Sequence, residues 1–399
     1  MGVRICVGRM ARICALSVLV AGCAAAQTGG TPESPPPKGT EAELHADLFH
    51  ADLERAAEAM HKGELASAEE ALRQALTIDP HSLVALNNLG IVLSREGKPE
   101  EAIPLYEEAL KVHPDDAATQ RNLAIAYFKA QRYAPAWQLL GPLATQYPTD
   151  FQILDLSGMT LVALDRYAEA ASYLERANQA QPTDLETLDM LGKAYLRLKD
   201  YKALTSVFAR IMQVNPNSAS AHIMMADAYD EMSQRPEAIK EYQAAVAADP
   251  NFAGVHSGLG FEYWREGEAE LAEKEFRAEL HRFPSDPVSN CILGQILLAE
   301  SRPEEAEPHF RAALALNPGY TEAWFFLAKT ELALKHPQGA VDALRKAIEI
   351  DPNYFQAHYV LGTALRQLGQ TAEATKEQKL SIEIQEREKT ESMKKIQSQ

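Results

Sequence analysis

The chain has 399 residues, 46% of them hydrophobic and 24% charged, ample apolar material for a buried core. Its formal charge of −17 makes a surface that repels phosphate backbones and anionic lipid, which argues against a nucleic-acid role. Three of its four cysteines (Cys6, Cys14, Cys23) lie in the first 23 residues, so the body has no disulfide framework, and Cys291 reads as a small apolar packing residue.

The first 12 residues carry Arg4, Arg9 and Arg12 and no acid, and Ile13 to Ala21 form an apolar run of nine residues. That run is too short to span a bilayer as a helix. A basic head, a short apolar run and then small residues is the layout of a secretory signal. The run ends Leu19-Val20-Ala21-Gly22-Cys23, which resembles the bacterial lipobox. The resemblance implies a signal peptide at 1–22 and a lipidated Cys23. With Ala24 next in place of Asp, it also implies an outer-membrane lipoprotein facing the periplasm. The alternative is ordinary cleavage near Ala24-Ala25-Ala26 and a soluble periplasmic or secreted chain. Residues 23–40, with Thr31-Pro32-Glu33-Ser34-Pro35-Pro36-Pro37, lack hydrophobic periodicity and read as a flexible linker. Fully extended, it would reach roughly 50 Å.

Beyond residue 40 one number dominates. Prolines 80, 114, 148, 182, 216, 250, 284, 318 and 352 are spaced by 34. Twelve residues before each stands Ala68, Ala102, Ala136, Ala170, Leu204, Ala238, Ala272, Ala306 or Ala340. Eight before stands a large residue, from Leu72 and Tyr106 to Phe310 and Leu344, and twenty-four before only Ala or Gly occurs, from Ala56 and Gly90 to Gly294 and Ala328. These columns resemble the tetratricopeptide (TPR) pattern over residues 49 to about 388, a period that marks stacked helix pairs. The resemblance implies an all-α, right-handed α-α superhelix of about ten helix–turn–helix repeats. Their bounds are 49–82, 83–116, 117–150, 151–184, 185–218, 219–252, 253–286, 287–320, 321–354 and 355–388 within an array at 41–388. A capping C-terminal helix follows, with a charged end and tail at 389–399.

Physics accounts for the columns. Small residues let the two helices of a repeat cross closely, and large ones fill the space between neighbours. Each proline stops a second helix. Ser82, Asp150, Asp184, Ser218, Asn251, Asp286, Thr321 and Asn353 follow the prolines as candidate caps of the next helix. Pro104, Pro142 and Pro308 fall inside second helices and should kink or loosen them. Leu204 replaces the expected Ala, and Glu279 occupies a column otherwise small or aliphatic.

No catalytic motif of the phosphate-loop, zinc-protease or nucleophile-elbow type is present, the histidines are scattered, and no metal or cofactor is expected. In TPR proteins the first helices line a concave groove that grips peptides or partner helices. The resemblance places groove positions 30, 27, 23 and 20 residues before each proline. They hold Asn87, Arg121 and Phe128 early, Asp155, Glu186, Asp189, Asp227 and Asp230 centrally, and Phe261, Trp264, Phe325 and Tyr359 later. Acidic and aromatic stretches together suit a protein segment carrying Lys or Arg near apolar anchors. Ile91, Ile125 and Met159 stand where a clamp for a C-terminal carboxylate would need polar groups. The expected function is an exported, non-enzymatic scaffold in assembly of a cell-envelope complex. The alternatives are a soluble periplasmic binder and, remotely, a regulatory part of a glycosyltransferase-type enzyme. The last is disfavoured because the repeats run almost to the C-terminus.

Overall fold

The computed structural model describes residues 41–397; the signal, Cys23 and the linker lie outside the described residues. All regular structure among the described residues is helical. The chain divides near Leu198 into two units. The first holds α1 (Glu41–Lys62), α2 (Leu65–Ile78), α3 (Leu83–Arg95), α4 (Pro99–Val112), α5 (Ala117–Lys129), α6 (Tyr133–Gln146), α7 (Phe151–Ala163), α8 (Tyr167–Ala180) and α9 (Leu185–Leu198). The second holds α10 (Tyr201–Val214), α11 (Ala219–Glu231), α12 (Arg235–Ala248), α13 (Val255–Glu266), α14 (Ala269–Arg282), α15 (Pro287–Ala299) and α16 (Pro303–Leu316). It continues with α17 (Thr321–Ala333), α18 (Pro337–Ile350), α19 (Phe355–Gln367) and α20 (Thr371–Gln397). Within each unit every helix packs on its chain neighbours, and alternate helices such as α3 and α5, or α17 and α19, also touch. Each unit is thus an α-α solenoid of stacked hairpins, in which burial is shared between neighbours. No described helix is long and apolar enough to cross a membrane.

The small and large columns meet inside the hairpins that lie within one unit. A Cβ built on Gly90 would lie 2.6 Å from the Tyr106 ring, and one on Gly294 would lie 2.8 Å from the Phe310 ring. Gly260 faces Phe276 at 3.1 Å in the same way. Where the opposing residue is Leu, the small position is usually Ala, as in Ala124 with Leu140 and Ala328 with Leu344, all of them buried. Two pairs depart from this. Gly158 faces Leu174, and Ala226 is paired with Tyr242, whose ring instead lies over Gly258. Exchanging a methyl for ring volume lets either pairing fill the space between the two helices at close packing.

A further period sits in the turns. Gly63, Gly97, Gln131, Asp165, Lys199, Ser233, Gly267, Ser301, Lys335 and Gly369 all have φ between 58° and 84°. Each is the left-handed residue that ends a first helix. At nine of them the next N–H bonds back five residues, as from Lys98 to Leu93 O at 2.9 Å and from Arg302 to Leu297 O at 2.9 Å. That pattern satisfies the terminal carbonyls and turns the chain into the second helix.

Ser82, Asp150, Asp184, Ser218 and Asp286 accept N–H bonds from the first turns that follow them, and so does Asp116. Asn251, Thr321 and Asn353 do not cap. The helices there start from Gly254, Tyr320 and Tyr354, and the Asn251 and Asn353 N–H groups bond to Asp249 and Asp351 instead. At Gly254 the missing cap comes from α14. Glu279, only 4% exposed, accepts from Gly254 N at 3.0 Å and Ser257 N at 3.3 Å, which explains an acid in an aliphatic column. The helices carrying Pro104, Pro142 and Pro308 run on without interruption, held by buried faces such as Ala102, Ile103 and Tyr106. Leu204 is also buried. The last hairpin ends on polar substitutes. Gln378 occupies the large position against Gly362, and Ser381 Oγ donates to Phe355 O at 2.8 Å.

Candidate partner-binding face

The candidate positions lie on the first helix of each hairpin, one or two turns apart along one face. In the first unit, Asn87 and Arg121 stitch successive first helices together. Asn87 Oδ1 accepts from Asn122 Nδ2 at 3.0 Å, and Arg121 Nη1 donates to Gln152 Oε1 at 3.2 Å. Phe128 is 4% exposed and packs edge-on to Tyr133 at 5.4 Å, so it belongs to the core and offers nothing to a partner. Asp155 is buried and accepts from Thr187 Oγ1 at 2.8 Å. Burial, with the Asp184 and Glu186 charges adding, pushes its pKa up to about 7 against the lowering effect of the Thr187 bond. Asp189 pairs with Lys193 at 2.6 Å, and Glu186 is exposed.

In the second unit the acids are again engaged. Asp227 accepts from the Tyr242 hydroxyl, and burial raises its pKa. Asp230 pairs with Arg265, whose guanidinium lies 5.6 Å from the Phe261 ring centre. The aromatic residues divide. Phe325 is 9% exposed and is enclosed by Phe326 and Tyr354 at 5.3 and 5.1 Å. Trp264 is half-buried against the core. Phe261 and Tyr359 stand open, at 41% and 59% exposure. The same columns also hold two exposed cations. Lys329 is exposed above the Phe325 and Phe326 rings at 5.8 and 5.3 Å. Arg366 is exposed and donates to Gln378. Their signal was positional: Lys329 lies 23 residues before Pro352, and Arg366 lies 20 residues before position 386, one period beyond it.

Among the described residues, no group of three His, Cys, Asp or Glu side chains is placed to hold a metal ion. Cys291 is fully buried, and burial pushes its thiol pKa up.

Family models described as tetratricopeptide repeat match residues 50–113, 93–158, 151–184, 223–287, 293–355 and 343–376. No curated protein matches the chain. Among solved structures, MamA is similar at 24% identity over 41% of this chain and 96% of its own, with a TM-score of 0.40. YrrB, described as a TPR protein with an unusual peptide-binding site, is similar at 22% identity over 45% of this chain and 92% of its own, with a TM-score of 0.42. The pilF protein of Pseudomonas aeruginosa is similar at 20% identity over 57% of this chain and 99% of its own, with a TM-score of 0.43. With repeat matches spanning more than half of its length, the chain belongs to the tetratricopeptide repeat family.

Proposed function

We propose that this protein is an exported, non-enzymatic scaffold that seats a segment of a partner protein on its first-helix face and serves assembly of a cell-envelope complex. The observation that carries the reading is the exposure of Phe261 and Tyr359. Large aromatics left open on this face supply contact area at low entropy cost. The repeat family supports the scaffold role, since stacked hairpins present an extended surface. Export and a lipid on Cys23 rest on the Leu19-Val20-Ala21-Gly22-Cys23 run. A partner that also carries Lys or Arg is the expectation from the acidic columns, but Asp155, Asp189, Asp227 and Asp230 already have bonds within the protein that a partner would have to displace.

The test is capture from the native envelope. Phe261→Ala combined with Tyr359→Ala should abolish capture of the wild-type partners while leaving the helical circular dichroism signal intact. Unchanged capture would refute the reading. Mass spectrometry of the mature N-terminus separates the anchored form, with a diacylated Cys23, from a soluble one beginning near Gln27.

A further inference from the structure

The first helices of the last three hairpins differ in charge from a chain of net charge −17. α15 carries no charged residue, and α19 carries no acid. In α17, Glu331 turns to Arg311 at 2.8 Å and His336 at 3.2 Å, away from the face columns. His358 of α19 is likewise consumed, with Nδ1 2.6 Å from Glu377 and Nε2 3.1 Å from Pro352 O. What remains in the face columns of these three helices is one acid, Glu322, two turns before Lys329, and two cations, Lys329 and Arg366. Lys329 touches only aromatic rings, and Arg366 only an amide. Most other arginines of this unit, including Arg235, Arg265, Arg277, Arg302, Arg311 and Arg345, are paired with carboxylates.

We propose that this face of α17 and α19 recognises an acidic segment of a partner protein, with one carboxylate on Lys329, a second on Arg366 and an apolar side chain on the open ring of Tyr359. The inference rests on the scaffold reading and names its partner class, which is opposite in charge to the one the acidic columns suggested. Charge complementarity selects the occupant. A carboxylate completes two cations that have no anion, whereas a basic segment would meet like charge. Neighbouring helix axes lie roughly 10 Å apart, and an extended chain rises about 3.3 Å per residue. Acids three residues apart therefore match the two cations.

The test uses the full chain and short fluorescent peptides with amidated C-termini. They share one Phe and carry either Glu-x-x-Glu or Lys-x-x-Lys beside it. Anisotropy at low salt should show the Glu peptide binding at least about tenfold more tightly. Lys329→Glu with Arg366→Glu should erase or invert that preference. Both side chains are exposed, so the variant should keep the wild-type fold by circular dichroism. Equal binding of the two peptides, no binding of either, or an unchanged preference in the variant would overturn the proposal. So would tighter binding of a Gln-x-x-Gln peptide with a free C-terminal carboxylate, which would assign the cations to a chain end. Failure here with intact envelope capture leaves the scaffold reading standing. Unchanged capture in the aromatic variant, with the peptide preference intact, strikes the scaffold reading alone.

Discussion

Replacing Gly294 by Ala tests the packing rule at a ring that cannot move aside. The new Cβ would sit 2.8 Å from Cε1 and Cζ of Phe310 and 3.0 Å from Cε2. Phe310 has no room to retreat, being fully buried and stacked on Phe326 at 6.0 Å. Overpacking of this kind costs about 1–3 kcal/mol, against a gain of about 1 kcal/mol from the better helix former. The net expectation is a loss of up to about 2 kcal/mol, read locally from hydrogen exchange of α15 and α16 amides, since repeat arrays open piecewise. Adding Phe310→Leu recreates the Ala-with-Leu pairing of Ala124 and Leu140 and should relieve the clash. The double-mutant cycle should then show an interaction of about 1–3 kcal/mol. Gly141 is the control. Its Cβ would make an ordinary contact, 3.6 Å from Trp137, so Gly141→Ala should stabilise by up to about 1 kcal/mol. Stabilisation by Gly294→Ala equal to that at Gly141, or an additive cycle, would refute the reasoning.

Other expectations follow from single groups. Asp155, its pKa raised to about 7 by burial, is held more readily as the neutral acid in the folded chain than in the unfolded one. The first unit should therefore lose stability as pH rises from about 4 to about 7, by up to about 1.4 kcal/mol per pH unit, and level off above that; Asp155→Asn should flatten this slope in urea unfolding. Glu279→Ala strips two N–H partners from the start of α13 and should cost about 1–3 kcal/mol, seen as faster exchange of the α13 amides. Lys335 holds φ at 64°, so Lys335→Gly should raise the thermal midpoint of the second unit, by an amount equivalent to about 1 kcal/mol.

The solenoid was legible because its signals are periodic and its contacts lie within or next to one repeat. Ala, Gly, aromatic and proline columns each report one packing position. The left-handed turn column was invisible by residue type, since only four of its ten positions hold Gly; sequence neighbours and hydrogen bonds fix that geometry. The missed caps have a similar origin. Asn353 looked like a helix start by spacing, but the chain spends it on an Asp351 turn. At Gly254 the cap arrives from another helix, which local spacing does not reveal. The candidate face was half legible. Column position placed Phe128 and Phe325 beside Phe261 and Tyr359, yet burial separates them. Tyr133 covers Phe128, and Tyr354 closes over Phe325. Pairing also decided the acids, because a carboxylate read alone looks available until its Tyr, Thr, Lys or Arg partner is found.

The central claim is that partners meet the first-helix face and not the second-helix ends. The most direct measurement is site-specific photo-crosslinking in the native host, with a benzophenone side chain at Tyr359 or Phe261 and, for comparison, at the exposed Leu316 or Ile350 of the second helices. Discrete adducts from Tyr359 and Phe261, with none from Leu316 and Ile350, are predicted. Equal labelling from both sets, or adducts from the second-helix positions alone, would contradict the account.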